Sequence, residues 1–369
     1  MIKQRRNMNL TTVNRGGFAG LVLGLFVMCL GLFSISTAVY AQRSNNRLDI
    51  VSLQLKWKHQ FQFAGYYAAQ KQGYYRQAGL NVQFLEPPTD KPTSDVVTFG
   101  GADFGVGGSD LITLYARGRP LVALAAIYQE SPLVLLARRD SNITTLADLR
   151  NKKLAIEEYS GEIFAMLQKQ NIQSYNLNLA PHSLSASNLL SGEVDGISAY
   201  ETTETFEVQP FIDNIIQFSP KDYDIHSYGD ILYTTSNIVR DRPQLVRRFL
   251  EASLKGWEYA YQNHQEMVDY IYQMYPNRLS YDALKFEAER SLPLLKPNAD
   301  TIIGQMDRQR WQEIVEVYQQ TNILRQEVDL DSFLYDQNSL QRYYHYFLIL
   351  LSLASLFILI RAVKAIRPL

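Results

Sequence analysis

The residues able to do chemistry in this sequence are carboxylates in pairs, amides set among aromatic rings, and glycines ahead of helices. Glu157 adjoins Glu158, and Glu201 and Glu204 stand close together. Paired acids can divide the work of acid and base between them, but at strand ends they serve as readily as acceptors for the N–H groups of a ligand. Nothing else completes a catalytic set. The five histidines, at positions 59, 182, 226, 264 and 345, lack metal-ligand spacing, and no Ser-His-Asp spacing supports hydrolysis. The single cysteine, Cys29, excludes a disulfide framework and a cysteine-based zinc site. What remains is recognition without bond-making. The stretch WKHQFQF, residues 57–63, is dense in the groups this needs: rings for a flat ligand, and amides that both donate and accept.

Strands and helices must hold these groups in place. Val51, Leu53, Leu55 and Trp57 share one face of a strand, with Ser52, Gln54 and Lys56 on the other. A helix carrying Ala64, Tyr67, Ala68 and Tyr75 follows and stops at Gly79, and Leu80, Val82 and Phe84 start a second strand. Such a strand-helix-strand unit crosses over right-handed with its strands parallel, and open parallel sheets bind ligands at the carboxyl ends of their strands. Trp57 and Gln60 are therefore placed at a binding crevice. The other reading of Trp57 is a plain continuation of the buried strand face.

The same logic runs down the chain. A short strand over 103–106 leads into Gly107 and Gly108, and Ser109 or Asp110 can cap the helix that follows. Free N–H groups at such a helix start suit an anion or a carbonyl. The strand of VALAAIY ends at Tyr128, and that of VDGISAY at Tyr200 and Glu201. In EEYSGE, Glu158 precedes Ser160 and Gly161, a second candidate nest of donors. Asp241 and Pro243 introduce a helix with Val246, Phe249, Leu250, Ser253 and Trp257 on one face. The economical arrangement is two α/β lobes, 48–135 with 238–335 and, inserted between them, 136–237. The ligand crevice lies between the lobes, and hinge closure is the expected motion.

Charge and hydropathy narrow the setting. A net charge of -1 without blocks of like charge lacks the footprint of a nucleic-acid binder. The 24 Tyr and 17 Phe would suit flat ligands, although core filling accounts for most of them. Lys3, Arg5, Arg6 and Arg15 accompany GFAGLVLGLFVMCLGLFSI, with Val39 and Ala41 at signal-peptidase spacing. Residues 1–41 are expected to be a signal peptide or an uncleaved signal anchor. From Tyr343 to Ile360 no residue carries formal charge, three tyrosines stand at the start, and Arg361, Lys364 and Arg367 follow. This predicts a transmembrane helix over 343–363 and a short cytoplasmic tail, 364–369, with the main domain in the periplasm of a bacterial inner membrane.

The segments LKWKHQFQFAGYYAAQKQGYYRQAGLNVQFLEP, GGADFGVGGSDLI, LADLRNKKLAI, SGEVDGISAYETTE and RRFLEASLKGWEYA together resemble the family of two-lobed binding proteins for the thiamine pyrimidine precursor. That family is related to sulfonate, taurine and nitrate binders of bacterial import systems. The likeness runs from about Val51 to Tyr335, and WKHQFQFAGYYAA is similar to versions fused to membrane sensor proteins. It implies a type II periplasmic-binding-protein fold that holds a pyrimidine or similar flat polar compound and needs no cofactor. It implies ring contacts from Trp57 and Tyr66, donors at Gly108, Ser109 and Asp110, and an acidic acceptor at Glu201. An ABC permease or a cytoplasmic signalling protein would be the partner, for uptake or for sensing. One branch, the fungal pyrimidine synthase, consumes its own histidine and a lysine-bound pyridoxal phosphate, and its lysine and histidine fall in the segment where this chain has Gly107 and Leu111. For that alternative, another Lys or His, such as Lys58 or His59, would have to fold into the site.

Overall fold

In the computed structural model, residues 47–157, 160–173, 177–183, 185–336, 348–355 and 357 are described. The chain clusters into two units, Met1–Leu48 and Asp49–Leu369, and of the first only residues 47 and 48 are described. The signal or anchor expected over 1–41 thus lies outside the described residues, as does much of the span expected over 343–363. Residues 348–355 are helical and exposed, and among the described residues no helix is long and apolar enough to cross a membrane.

Two five-stranded sheets organise the second unit. The first contains β1 (Asp49–Gln54), β2 (Leu80–Leu85), β3 (Phe104–Gly107) and β4 (Leu121–Ala126), joined by the late strand β10 (Ile231–Thr235) in the order β2-β1-β3-β10-β4. β1 runs parallel to β2 and to β3, as the strand-helix-strand reading requires, and β10 lies antiparallel between β3 and β4. The second contains β5 (Leu133–Arg138), β6 (Lys153–Ala155), β7 (Asn178–Leu179), β8 (Gly196–Tyr200) and β9 (Ile215–Phe218), in the order β7-β6-β8-β5-β9.

Two details differ from the expected boundaries. β10 belongs to the first sheet, so the chain returns to lobe 1 before Ile231 rather than at 238, and β5 opens lobe 2 at Leu133. The helix expected from Ala64 past Tyr75 is two, Ala64–Lys71 and Tyr74–Gln77, parted where Gly73 takes a φ of 73°.

Burial on both faces explains why strand alternation is only partly visible in the sequence. Along β5, Leu133, Leu135 and Ala137 enter the core shared with the C-terminal helix Arg308–Gln320, while Val134 and Leu136 enter a separate core on the far side. In lobe 1 the helix Pro243–Gln262 lies against Ala64–Lys71 at very short range. A Cβ at Gly256 would stand 2.1 Å from the carbonyl oxygen of Gly65, and one at Gly65 would stand 2.1 Å from the Trp257 ring. Only glycine permits that crossing. The same helix buries Phe249 against Phe104, with ring centroids 4.0 Å apart, so truncating Phe249 would cost about 3–5 kcal/mol.

Candidate functional site

The turn after β1 is pinned from a distance. Its backbone leaves the strand at Gln54 and re-forms as a short 3-10 turn, Phe61–Phe63, whose first N–H groups have no partner within the turn. The carboxylate of Glu287, on the helix Tyr281–Leu295, takes both: Phe61 N donates at 2.9 Å and Gln62 N at 2.8 Å. Glu287 is fully buried, and that burial pushes its carboxyl up to about 8 against the pull of the two N–H groups.

Behind the turn runs a buried polar chain that crosses from one lobe to the other. Gln60 Nε2 donates to Gln62 Oε1 at 2.9 Å, and Gln62 Nε2 to Asp230 Oδ2 at 2.8 Å. The Lys56 ammonium lies 3.4 Å from Asp230 Oδ1 and donates to the Tyr200 hydroxyl, which in turn donates to Asp230 Oδ1 at 3.2 Å. Lys56 follows β1, Tyr200 ends β8, and Asp230 sits in the return crossover. Burial holds the Asp230 carboxyl above the usual range, opposed by the Lys56 charge. Two charges withdrawn this far from water endure only because each is paired and hydrogen-bonded.

In front of this chain the lobes leave a narrow cavity, about 320 Å³ only when the solvent at its mouth is counted. Lobe 1 lines it with Lys56, Trp57, Gln60 and Gln62, and lobe 2 with groups that include Glu157, His182, Tyr200 and Glu204. The Trp57 ring stands edge-on to His182, centroids 6.3 Å apart. His182 Nε2 lies 2.8 Å from the Ser198 carbonyl, so the neutral ring, which burial favours, donates there and keeps its lone pair at Nδ1. Glu204 accepts from Tyr200 N at 2.9 Å and from the Thr203 hydroxyl at 2.7 Å, yet burial raises its carboxyl. A stacking ring, amides and buried carboxyl groups suit a flat ligand with exocyclic donors and ring acceptors.

The residues singled out from the sequence divide into three groups. Trp57, Gln60 and Tyr200 line the cavity together. Glu158 lies outside the described residues. The remainder stand elsewhere. Tyr66 and Tyr128 are inside the first core, Tyr66 edge-on to Trp257 and Tyr128 donating to Ser291 at 3.0 Å. Ser109 spends its hydroxyl on the Tyr228 carbonyl at 2.6 Å. The two glycine-led helix starts meet each other: a Cβ at Gly161 would come within 2.9 Å of both Asp110 Cβ and the Tyr318 hydroxyl, and Gly108 and Ser160 are buried beside them. Glu201 does not face Trp57. It points to a groove shared with Phe286 and Arg290, 3.8 Å from Lys221, because it falls one residue past the cleft-facing Tyr200. Of Glu201 and Glu204, the second reaches the cavity. Lys58 is exposed, and His59 stacks on Tyr275, centroids 3.8 Å apart; the lysine and histidine that line the cavity are Lys56 and His182.

Residues 60–267 match the family described as NMT1/THI5 like. The chain belongs to that family. Among its relatives is a Haemophilus influenzae protein named for thiamine biosynthesis, 25% identical over 77% of this chain and 90% of its own length. The riboflavin-binding protein RibY of Chloroflexus aurantiacus is 23% identical over 80% of this chain and 87% of its own. A formylaminopyrimidine-binding protein of Halalkalibacterium halodurans is 22% identical over 77% and 89%. More distantly, a 4-amino-5-hydroxymethyl-2-methylpyrimidine phosphate synthase of Saccharomyces cerevisiae is 22% identical over 63% of this chain and 74% of its own length. The two-lobed architecture is that of periplasmic binding proteins: the alkanesulfonate-binding protein SsuA from Xanthomonas axonopodis pv. citri, bound to MOPS, superposes with a TM-score of 0.59 at 13% identity, covering 78% of this chain and 98% of its own.

Proposed function

We propose that this chain is a membrane-tethered, extracytoplasmic solute-binding protein whose lobes close on a small, flat, polar organic molecule of the pyrimidine type, for uptake or for sensing. The observation that carries the reading is the cavity between the two sheets, where Trp57 and the amides of Gln60 and Gln62 from one lobe meet Glu157, His182 and Glu204 from the other. Relatives named for binding formylaminopyrimidine and riboflavin share a demand for a nitrogen heterocycle. The basic and apolar flanks of the sequence support the tether and the orientation in a bacterial inner membrane.

Calorimetric titration of the full-length chain in detergent with formylaminopyrimidine, riboflavin and an alkanesulfonate tests the reading. One of the heterocycles binds, and Trp57→Ala weakens it at least tenfold, the loss of a buried aromatic anchor of about 1.4 kcal/mol or more. Absence of heat and of thermal shift with every compound sinks it. A synthase-like enzyme is the second reading, favoured by Lys56 and His182 in the cleft and by the yeast relative. Here, however, the Lys56 ammonium is engaged by Asp230 and Tyr200. An imine absorbance on adding pyridoxal phosphate, lost in Lys56→Met, would select the enzyme.

A further inference from the structure

The cavity does not end at Glu204. A second chamber, about 450 Å³ when the solvent at its mouth is counted, shares Trp57, Gln60, Thr203 and Glu204 with the first and extends to Glu207, Arg278 and Leu279. Arg278 comes from the loop between His264–Met274 and Tyr281–Leu295, in lobe 1, and Glu207 from the helix Glu204–Val208, in lobe 2. The chamber is therefore completed by the lobes together, like the first.

Its polar groups are mixed in sign and in hydrogen-bonding role. Arg278 has only donors, and its Nε is buried without a hydrogen-bond partner. Glu204 and Glu207 are acceptors when ionised. Glu204 uses Oε2 for Tyr200 and Thr203, and Glu207 uses Oε2 for the N–H of Ala186, at 2.8 Å. An anion placed here would meet two carboxyl groups, and a cation would meet the guanidinium. A chain of hydroxyl groups offends neither, because each hydroxyl can accept from Arg278 and donate to a carboxylate. An orphaned buried Nε is a cost that such an acceptor would remove.

We propose that the outer chamber is a second subsite, in which Arg278 and Glu207 hold a hydroxylated side chain carried by the heterocycle seated against Trp57. The substrate class is then a flat nitrogen ring bearing a polyol or a ribose, rather than a bare ring. This rests on the proposed function of the cleft and adds its specificity. A ribityl chain and a ribosyl group offer the same chemistry, and two pairs of probes separate them: lumichrome with riboflavin, and cytosine with cytidine.

Each pair is titrated into the full-length chain in detergent. In at least one pair the hydroxylated member binds tenfold or more tightly than its bare ring, and the pair that shows this identifies the source. Arg278→Ala and, separately, Glu207→Gln bring the two members within about twofold while leaving the affinity for the bare ring unchanged. Circular dichroism and binding of the bare ring confirm that each variant is folded; Arg278→Lys, which keeps a charge but loses the fork, gives an intermediate ratio. Bare rings that bind as well as their hydroxylated partners, or a preference untouched by both substitutions, overturn the subsite while leaving the cleft reading intact. Failure of all four probes to bind overturns the subsite, and the cleft reading falls with it only when formylaminopyrimidine fails as well.

Discussion

Two of the places where the lobes meet are built from similar materials, and of these two one holds a hollow and the other does not. Around Trp57 and Glu204 the strand ends stand apart and enclose space. Around Gly161 and Asp110, two helix starts with the same appetite for a ligand press against each other and against Tyr318. The difference lies in the neighbours. Gly161 has no side chain to hold Asp110 off, whereas Trp57 and Tyr200 are large and rigid, and Tyr200 is held from behind by Asp230 and Lys56. Polar residues at a strand end or helix start mark where a site can be. The bulk of the facing residue decides whether it is open.

The comparison can be broken most sharply at Lys56, which stabilises the open place from behind. Lys56→Met leaves the Asp230 carboxylate buried without its cation, and denaturant unfolding should show a loss of about 3–5 kcal/mol. Adding Asp230→Asn to the same chain should restore most of it. If the single variant is as stable as the parent, the chain is not what braces the cavity.

The sealed place is tested next by wedging it. Gly161→Val would put methyl groups into space already occupied at 2.9 Å, costing about 1–3 kcal/mol. It should also weaken closure, and so lower ligand affinity although Gly161 does not line the cavity. Unchanged affinity would mean that the two places act independently.

The buried acids then sharpen the contrast through pH. Burial raises Glu287 and Glu162 from an ordinary 4.5 to about 8. Between those values the unfolded chain has released protons that the folded chain still holds, so their contribution is full below about pH 4.5 and is lost as pH rises through about 8. Unfolding midpoints measured across this window should fall with rising pH. Glu287→Gln should flatten part of that slope, at the expense of one acceptor for the Phe61 and Gln62 N–H groups at every pH.

The smallest effect belongs to Ser160, whose hydroxyl is buried without a hydrogen-bond partner. Ser160→Ala should be neutral or stabilising by up to about 1 kcal/mol, with ligand affinity unchanged. A loss of affinity would show that the sealed place opens to the ligand after all.

Much of this architecture was legible. Period-two runs and the helix stop at Gly79 marked elements that are present, and the strand-end rule reached Trp57, Gln60 and Tyr200. It failed where geometry turns on a single residue. Glu201 and Glu204 look equivalent in sequence, but only the second lies on the cavity side of its turn. Lys56 reads as the polar alternate of a half-exposed strand, and only the covering of both sheet faces makes it a buried ion. Asp230, Arg278 and Glu287 reach the turn after β1 from far along the chain, and no local pattern announces a partner that distant.

The position of β10 has a consequence for how the protein is made. It fills the gap between β3 and β4, so a ribosome that has delivered the first four strands has produced a sheet with a missing slat and two bare edges. The inserted lobe, contiguous from Leu133 to Phe218, completes its own sheet as it emerges, although one face of β5 waits for the helix Arg308–Gln320. The earlier-synthesised lobe must wait for Ile231–Thr235 to close its sheet and then for the helix that buries Trp257, and its inner strand edges stay bare during that interval.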